Sequence, residues 1–175
     1  MSLMARNFLS VAVAMSACVP AASAQSSDTG CSLEQVAGTS RQILRCRNGL
    51  TIIAETGAQF TLVDRDRDGN ADSARLRRKA LLLDGPTGKA KTGFQVVTPQ
   101  AIAAVRGTKW VVDVQQSKAS VFVVSGHVAV RRPAANTRVL LGPGEGVEVR
   151  EGSGRLTVRR WPAARVSALL ARFGQ

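Results

Sequence analysis

The feature that most constrains the fold of this chain is a series of short apolar runs, rich in β-branched residues and interrupted by Gly, Pro, Asn or Asp about every ten residues. Such runs are typical of β-strands separated by turns, and about ten strands are predicted. They lie at 51–54, 60–63, 74–83, 94–97, 110–114, 120–124, 127–130, 138–141, 146–149 and 155–158. The pattern predicts an all-β domain in the form of a sandwich, a barrel or a short solenoid, because periodicity alone does not distinguish these architectures.

The C-terminus has a different periodicity. Pro162 suits the first position of a helix, and Val166, Leu169, Leu170 and Phe173 recur at helical spacing. We therefore predict one C-terminal helix that caps the sheet. With 175 residues, of which 45% are hydrophobic, the chain is long enough for one domain with a buried core.

Residues 1–24 have the organisation of a secretory signal peptide. Arg6 supplies a positive charge, residues 8–15 are apolar, and residues 22–24 form an Ala-Ser-Ala cleavage site. We predict a mature chain that begins at Gln25 and is periplasmic or secreted; a lipoprotein box ending at Cys18 is the alternative. No apolar stretch reaches the roughly 18 residues of a membrane-spanning helix, so no transmembrane segment is expected after signal cleavage.

Two cysteines, Cys31 and Cys46, remain after cleavage, and an oxidising compartment favours a disulfide between them. A bridge that closes a loop of about 15 residues stabilises a fold by about 3 kcal/mol. Two cysteines and the single His127 are too few for a tetrahedral zinc site.

Motifs of catalysis are absent from the sequence. No Gly-x-Ser-x-Gly elbow is present, and residues 85–92 depart from the spacing of a phosphate-binding loop. His127 lies in an apolar alternating run, where a half-buried, hydrogen-bonded imidazole is expected in place of a general base. Asp113 and Glu145 are interpreted as structural carboxylates. We therefore predict no catalytic residue and no enzyme.

An acidic segment at 64–72 has the spacing of a calcium loop. Asp64, Asp66, Asp68 and Asp72 occupy positions one, three, five and nine, and Gly69 occupies position six. The nine-residue pattern resembles the loops that join two strands in integrin-type propeller blades, where the last Asp closes the site. These four aspartates are the predicted ligands of a structural Ca²⁺. The alternative is a solvated turn whose charges are offset by arginines within the loop.

Four blocks of the sequence resemble the FecR domain. They are FQVVTP at 94–99, AIAAVRGTKWVV at 101–112, VVSGHV at 123–128 and LLGPGEGV at 140–147, of which AVRGT is the most specific. The resemblance implies an all-β extracytoplasmic domain without catalysis. Its signature positions are interpreted as structural: Thr98, Pro99, Arg106, Gly107, Thr108, Trp110, Gly126, Gly144 and Glu145.

The resemblance also predicts an organisation of the chain. Residues 25–93 form an N-terminal β extension with the disulfide and the acidic loop, 94–150 the FecR-like core, and 151–175 the last strand and the helix, all in one domain. In the namesake branch, the domain is the periplasmic sensor of a membrane regulator that relays the state of an outer-membrane iron-siderophore transporter to an extracytoplasmic-function sigma factor. This sequence has no cytoplasmic sigma-binding segment, so a relay would require a membrane partner.

A strong positive charge constrains the partners. Twenty-four Lys and Arg against 12 Asp and Glu give a formal charge of +12. Outside the cytoplasm this charge favours an anionic cell-surface polymer or an acidic envelope protein over nucleic acid, whereas the alternative is a scattered solvated surface. The first functional hypothesis is a non-enzymatic FecR-like interaction or signalling module of the envelope. The second is a calcium-stabilised structural module that binds the cell surface or the cell wall.

Overall fold

The computed structural model describes residues 29–35, 41–85, 93–105, 107–133 and 137–175. The predicted signal peptide at 1–24, with Cys18, and the signature residue Arg106 lie outside these ranges. Within them, no helix is long and apolar enough to cross a membrane.

The described residues form thirteen β-strands and one helix, which confirms the predicted all-β class with a single C-terminal helix. The elements are β1 Cys31–Gln35, β2 Gln42–Cys46, β3 Thr51–Ala54, β4 Gln59–Val63, β5 Ser73–Asp84, β6 Phe94–Val97, β7 Ile102–Val105, β8 Lys109–Gln115, β9 Lys118–Ser125, β10 Val128–Arg131, β11 Arg138–Leu141, β12 Glu145–Arg150, β13 Val158–Arg160 and α1 Ala163–Ala171. Three of the strands, β1, β2 and β7, were not predicted, and β13 begins three residues later than the strand predicted at 155–158.

The strands form one nearly closed, barrel-like sheet in which β5 is shared by two halves. The first half follows the order β1-β2-β3-β5-β8-β9-β12-β13, and the second half follows the order β4-β5-β6-β7-β10-β11. Only β5 and β6 pair in parallel; the other pairs are antiparallel among the described strands. The sheet thus folds over on itself, and a core forms between its halves.

Strand β5 changes partners at its centre. Its N-terminal part pairs with β4 and β6, and the part from Lys79 onward pairs with β3 and β8. At this change the pairing register shifts between Gln59 and Phe60, and Lys79 adopts a φ of 66°. The bulge and the left-handed residue bend the strand, which allows one strand to serve both halves of the sheet.

Burial along β5 explains its apolar run. Arg75, Arg77, Arg78 and Lys79 are exposed. The next four residues, 80–83, are buried on both faces of the sheet. Leu81 and Leu83 belong to the main core between the halves, whereas Ala80 and Leu82 belong to a second cluster beneath α1. The terminal helix therefore caps the outer surface of the first half, as predicted.

The predicted disulfide is present at the N-terminal edge of the sheet. Cys31 and Cys46 are directly opposite each other in the β1–β2 hairpin and are joined by a 2.03 Å S–S bond. The backbone N–H of Arg47 donates to the carbonyl of Gly30 at 2.9 Å, so the hairpin is closed on both sides of the bridge.

Candidate functional site

The acidic loop joins β4 to β5 and brings together three of its four predicted ligands. Carboxylate oxygens of Asp64, Asp66 and Asp72 lie within 4.8 Å of one another. Asp68 lies outside this group, and its carboxylate accepts a hydrogen bond from the backbone N–H of Asn70 at 2.8 Å. The geometry is that of three hard oxygen donors around one centre, which suits a calcium ion.

Backbone hydrogen bonds fix two of these carboxylates. Asp64 accepts from the N–H groups of Arg67 at 2.8 Å and Gly69 at 2.9 Å. Asp72 accepts from the N–H of Arg65 at 2.9 Å and from the Ser73 hydroxyl at 2.8 Å. The loop thus folds around its own carboxylate side chains.

The same loop is anchored to the disulfide hairpin. The backbone N–H of Ala71 donates to the Thr29 carbonyl at 2.8 Å, two residues before Cys31. The N-terminal extension and the acidic loop thus form one contiguous corner of the fold, although they are distant in sequence.

Charge accumulates at Asp66. Its hydrogen bond from the backbone of Asp68 lowers the pKa, but burial, the hydrogen bond with Asp64 and the charges of Asp68 and Asp64 together raise the pKa above its ordinary value. Opposing this negative charge, the Arg65 guanidinium lies 3.6 Å from the carboxylate of Asp72. A cation bound here would offset the repulsion among the carboxylates and would compete with Arg65 for Asp72.

The first signature residues, Thr98 and Pro99, form the turn between β6 and β7, where Thr98 is buried and Pro99 is exposed. The Thr98 side-chain oxygen accepts from the N–H of Ala101 at 2.8 Å and donates to the Ala101 carbonyl at 3.0 Å. This side chain is nearly inaccessible to solvent. Thr98 therefore closes the turn and is not available to a ligand.

Gly107, Thr108 and Gly126 bring two turns into contact. The Thr108 hydroxyl donates to the His127 carbonyl at 3.3 Å. A Cβ added at Gly126 would lie 2.8 Å from the Thr108 hydroxyl oxygen and 2.9 Å from the Gly107 carbonyl oxygen, so only glycine allows this approach. His127 itself is exposed, and the prediction of a half-buried imidazole is wrong because β10 begins one residue later, at Val128.

The other described signature residues are also structural. Trp110 is fully buried in the main core. The Gly144 N–H donates to the Val123 carbonyl at 2.9 Å, and the Glu145 carboxylate accepts from the Gly142 N–H at 2.8 Å. Glu145 thus closes the turn before β12.

A polar network beneath α1 was missed by sequence reasoning. Arg172 follows the helix and donates to Asp113 at 2.8 and 3.0 Å and to Glu55 at 3.1 and 2.5 Å. The hydrogen bond to Asp113 is the main cause that raises the pKa of Arg172, against the opposing effect of burial. The network borders a cavity of about 240 Å³ that also contacts Lys118, Ser120 and Trp161.

Trp161 lies just before α1 and packs in the apolar cluster between the helix and the sheet. The Trp161 ring stacks on the Phe122 ring, and the two ring centroids are 5.0 Å apart. The Arg165 guanidinium lies over the indole of Trp161, 3.5 Å from the ring centroid. Beneath the ring lies Gly146, where an added Cβ would overlap the indole. Glycine at this position allows Trp161 to lie against the β12 backbone.

Glu148 links the same helix to the sheet and predicts a pH dependence. The hydrogen bond from Arg165, at 2.6 Å, is the main cause that lowers the pKa of Glu148, and Lys118 at 3.3 Å contributes. A lowered folded-state pKa stabilises the fold above the unfolded value of about 4.3, and this stabilisation disappears as pH falls through the folded value.

We therefore expect Glu148→Gln to lower the free energy of unfolding by about 0.5–1 kcal/mol at pH 7. In urea titrations, the difference from the native chain should shrink as pH falls below the unfolded value of about 4.3 and should vanish once pH is below the lowered folded-state pKa, because the native carboxyl is then protonated. Glu151→Gln is the control, since Glu151 is exposed. A difference that stays constant down to the most acidic pH at which both chains are folded would show that the loss is one of packing and not of charge.

Two crystal structures of a "putative anti-sigma factor" from Parabacteroides distasonis have the same fold, each with a TM-score of 0.60 and 19% identity. The similarity covers 80% and 79% of this chain and 64% of the other chain, so this chain spans less than two thirds of that protein's length. No curated protein matches the sequence.

The sequence matches the FecR protein family over residues 21–129. The match includes the N-terminal extension and three of the four blocks quoted above, and the fourth block, at 140–147, lies beyond it. The structure nevertheless joins that block to the same sheet, because β12 pairs with β9. Since the match covers more than half of the chain, the protein belongs to the FecR protein family.

Proposed function

We propose that this protein is a non-catalytic regulatory module that binds a protein partner in an extracytoplasmic sigma-factor pathway. The observation that carries the proposal is the family match over 21–129. The shared fold with a protein described as an anti-sigma factor supports it. The described signature residues are used for turns and core packing, so partner recognition would fall to the surfaces of the sheet and not to a catalytic pocket.

Transcription provides the direct test of this proposal. Deletion of the gene in the native host should change the transcripts controlled by one extracytoplasmic-function sigma factor, and the native chain supplied in trans should restore them. Cross-linking of the restored protein should recover a membrane regulator of that pathway. An unchanged sigma-dependent transcriptome under envelope stress and under iron limitation would overturn the proposal.

Export is part of the same proposal. It is supported by the signal-like organisation of residues 1–24 and by the Cys31–Cys46 disulfide, which an oxidising compartment favours. The intact mass of the protein isolated from its host should correspond to a chain that begins at Gln25. A mass that retains Cys18 with acyl groups would identify a lipoprotein, and an uncleaved chain would contradict export.

A calcium-stabilised structural module is the second candidate, and the convergence of three carboxylates favours it. Calcium at 100 times its dissociation constant should raise the free energy of unfolding by about 2.7 kcal/mol, seen as a higher melting temperature than in chelator. Asp66→Asn should abolish the shift. Asp68→Asn is the matched control, because it removes the same charge from the same loop but lies outside the carboxylate group.

The control variant decides between an ion site and general screening. An equal loss of the shift in both variants would mean that calcium acts only on the net charge of the loop. No shift in the native chain at 10 mM calcium, far above the roughly millimolar affinity of weak extracellular sites, would leave a solvated turn.

A further inference from the structure

Apart from the β4–β5 loop at one end, where the Arg65 side chain reaches Ser73, no described element packs on the outer surface of the second half of the sheet, in contrast to the first half beneath α1. Across this surface the registers align Leu140, Ala129, Ala104 and Gln95 in one row, all of them exposed or half-buried. The residues that alternate with them, Val130 on β10 among others, are buried in the core. We call this surface the open face.

A second row on the open face concentrates positive charge. The registers align Arg138 with Arg131, Arg131 with Ile102, Ile102 with Val97, and Val97 with Arg75. The three arginines are exposed, and within the described part of the chain no carboxylate forms an ion pair with them. Like charges directly opposite in a sheet are destabilising, so the Arg131–Arg138 pair works against the stability of the isolated fold.

One row of the open face is mostly apolar and ends at Leu140 on the edge strand β11. Leu140 is 63% exposed, one of only two large hydrophobic side chains in the described residues with such exposure. Ala104 and Ala129 lie beside it, and Ile102 and Val97 are half-buried in the neighbouring row. Apolar side chains bordered by arginines are the composition of a surface that contacts both headgroups and acyl chains.

The acidic loop lies at the β5 end of this surface. Asp72 lies beside the β4–β5 edge and is paired with Arg65. The Arg65 guanidinium also reaches the Ser73 hydroxyl at 3.3 Å and lies beside the Gln95 side-chain amide. Contact with an anionic surface would therefore centre on Arg131 and Arg138 of β10 and β11, with Arg75 of β5 at the margin next to the acidic loop.

We propose that the open face binds the surface of an anionic phospholipid membrane. Guanidinium groups pair well with phosphate, and each basic residue near an anionic bilayer contributes about 1 kcal/mol of attraction. The exposed arginines complement phosphate headgroups, and the apolar side chains beside them suit the boundary of the acyl chains, so this composition favours a lipid surface as the occupant.

Vesicle co-sedimentation tests this proposal with the protein isolated from its native host. Binding is expected to vesicles of 30% phosphatidylglycerol in phosphatidylcholine and not to phosphatidylcholine alone, and it should weaken with salt. Changing Arg75, Arg131 and Arg138 to Gln should reduce the partition coefficient by about 100-fold, from three lost headgroup contacts. Leu140→Ser should reduce it further, because the apolar contact is then lost.

A matched triple variant controls for net charge. Changing Arg155, Arg159 and Arg160 to Gln removes the same charge from exposed positions outside the open face, and binding should stay within about 3-fold of the native value. An equal loss in both variants would overturn the proposal, as would equal binding to both kinds of vesicle. Binding to soluble polyglutamate but not to vesicles would overturn it in favour of an acidic protein. The vesicle result is independent of the transcriptional test, so the two proposals fail separately.

Discussion

Trp161→Ala is expected to lower the free energy of unfolding by about 3–5 kcal/mol. The ring is nearly buried, stacks on Phe122 and is covered by the Arg165 guanidinium. Its removal leaves a cavity between β9, β12 and α1 and exposes the outer surface of the first half of the sheet. Urea unfolding followed by circular dichroism measures the loss.

Gly146 supplies the control for this prediction. A Cβ at position 146 would overlap the indole, so Gly146→Ala should destabilise the native chain. In the Trp161→Ala background the overlap is gone, and the same change should have a much smaller effect. Additive losses in the double variant, or a loss below about 1 kcal/mol for Trp161→Ala alone, would contradict the described packing.

Arg172→Met is expected to lower the free energy of unfolding by about 2–3 kcal/mol, less than the full cost of breaking a buried ion pair because the Arg172 side chain is 26% exposed. The variant leaves Asp113, whose side chain is only 8% exposed, and Glu55 without their shared cation. The retained methylene volume of Met keeps the loss of packing small. Thermal and urea unfolding at pH 7 measure the effect.

A double-mutant cycle with Asp113→Asn isolates the charge interaction. Asp113→Asn alone should also destabilise the fold, because Arg172 loses its main hydrogen-bond acceptor. The two losses should be far from additive, since the double variant no longer buries an unpaired charge at position 113. Additivity would show that Arg172 stabilises the helix through its aliphatic chain and not through the network.

These two contacts hold α1 at its two ends. Trp161 precedes the helix and Arg172 follows it, and Arg165 reaches Glu148 from its first turns. A nine-residue helix is too short to be stable alone, so its position depends on these side chains. The helix packs on the sheet because the sheet presents an apolar row to it, together with two carboxylates within hydrogen-bonding distance of Arg165 and Arg172.

Local sequence determined the strands whose side chains alternate between core and solvent. The predicted and observed bounds of the strands at 94–97 and 138–141 agree. In each strand, the alternation of side chains between core and solvent is complete within four residues. The helix was also predicted from local spacing. In contrast, β1 has the sequence CSLEQ and is almost entirely exposed; it is a strand because it pairs with β2 and is joined to it by the disulfide.

The sequence also determined the acidic loop, the disulfide pair and the family signature, because each depends on residues that are close in sequence or few in number. Only the tertiary structure decided which distant residues share a surface. The Arg172 network joins segments more than 50 residues apart, and the open face places Arg75, Arg131 and Arg138 in one row through four strand registers. Periodicity fixes which way a side chain points within its own strand, but strand order and register follow from long-range pairing, which local sequence does not encode.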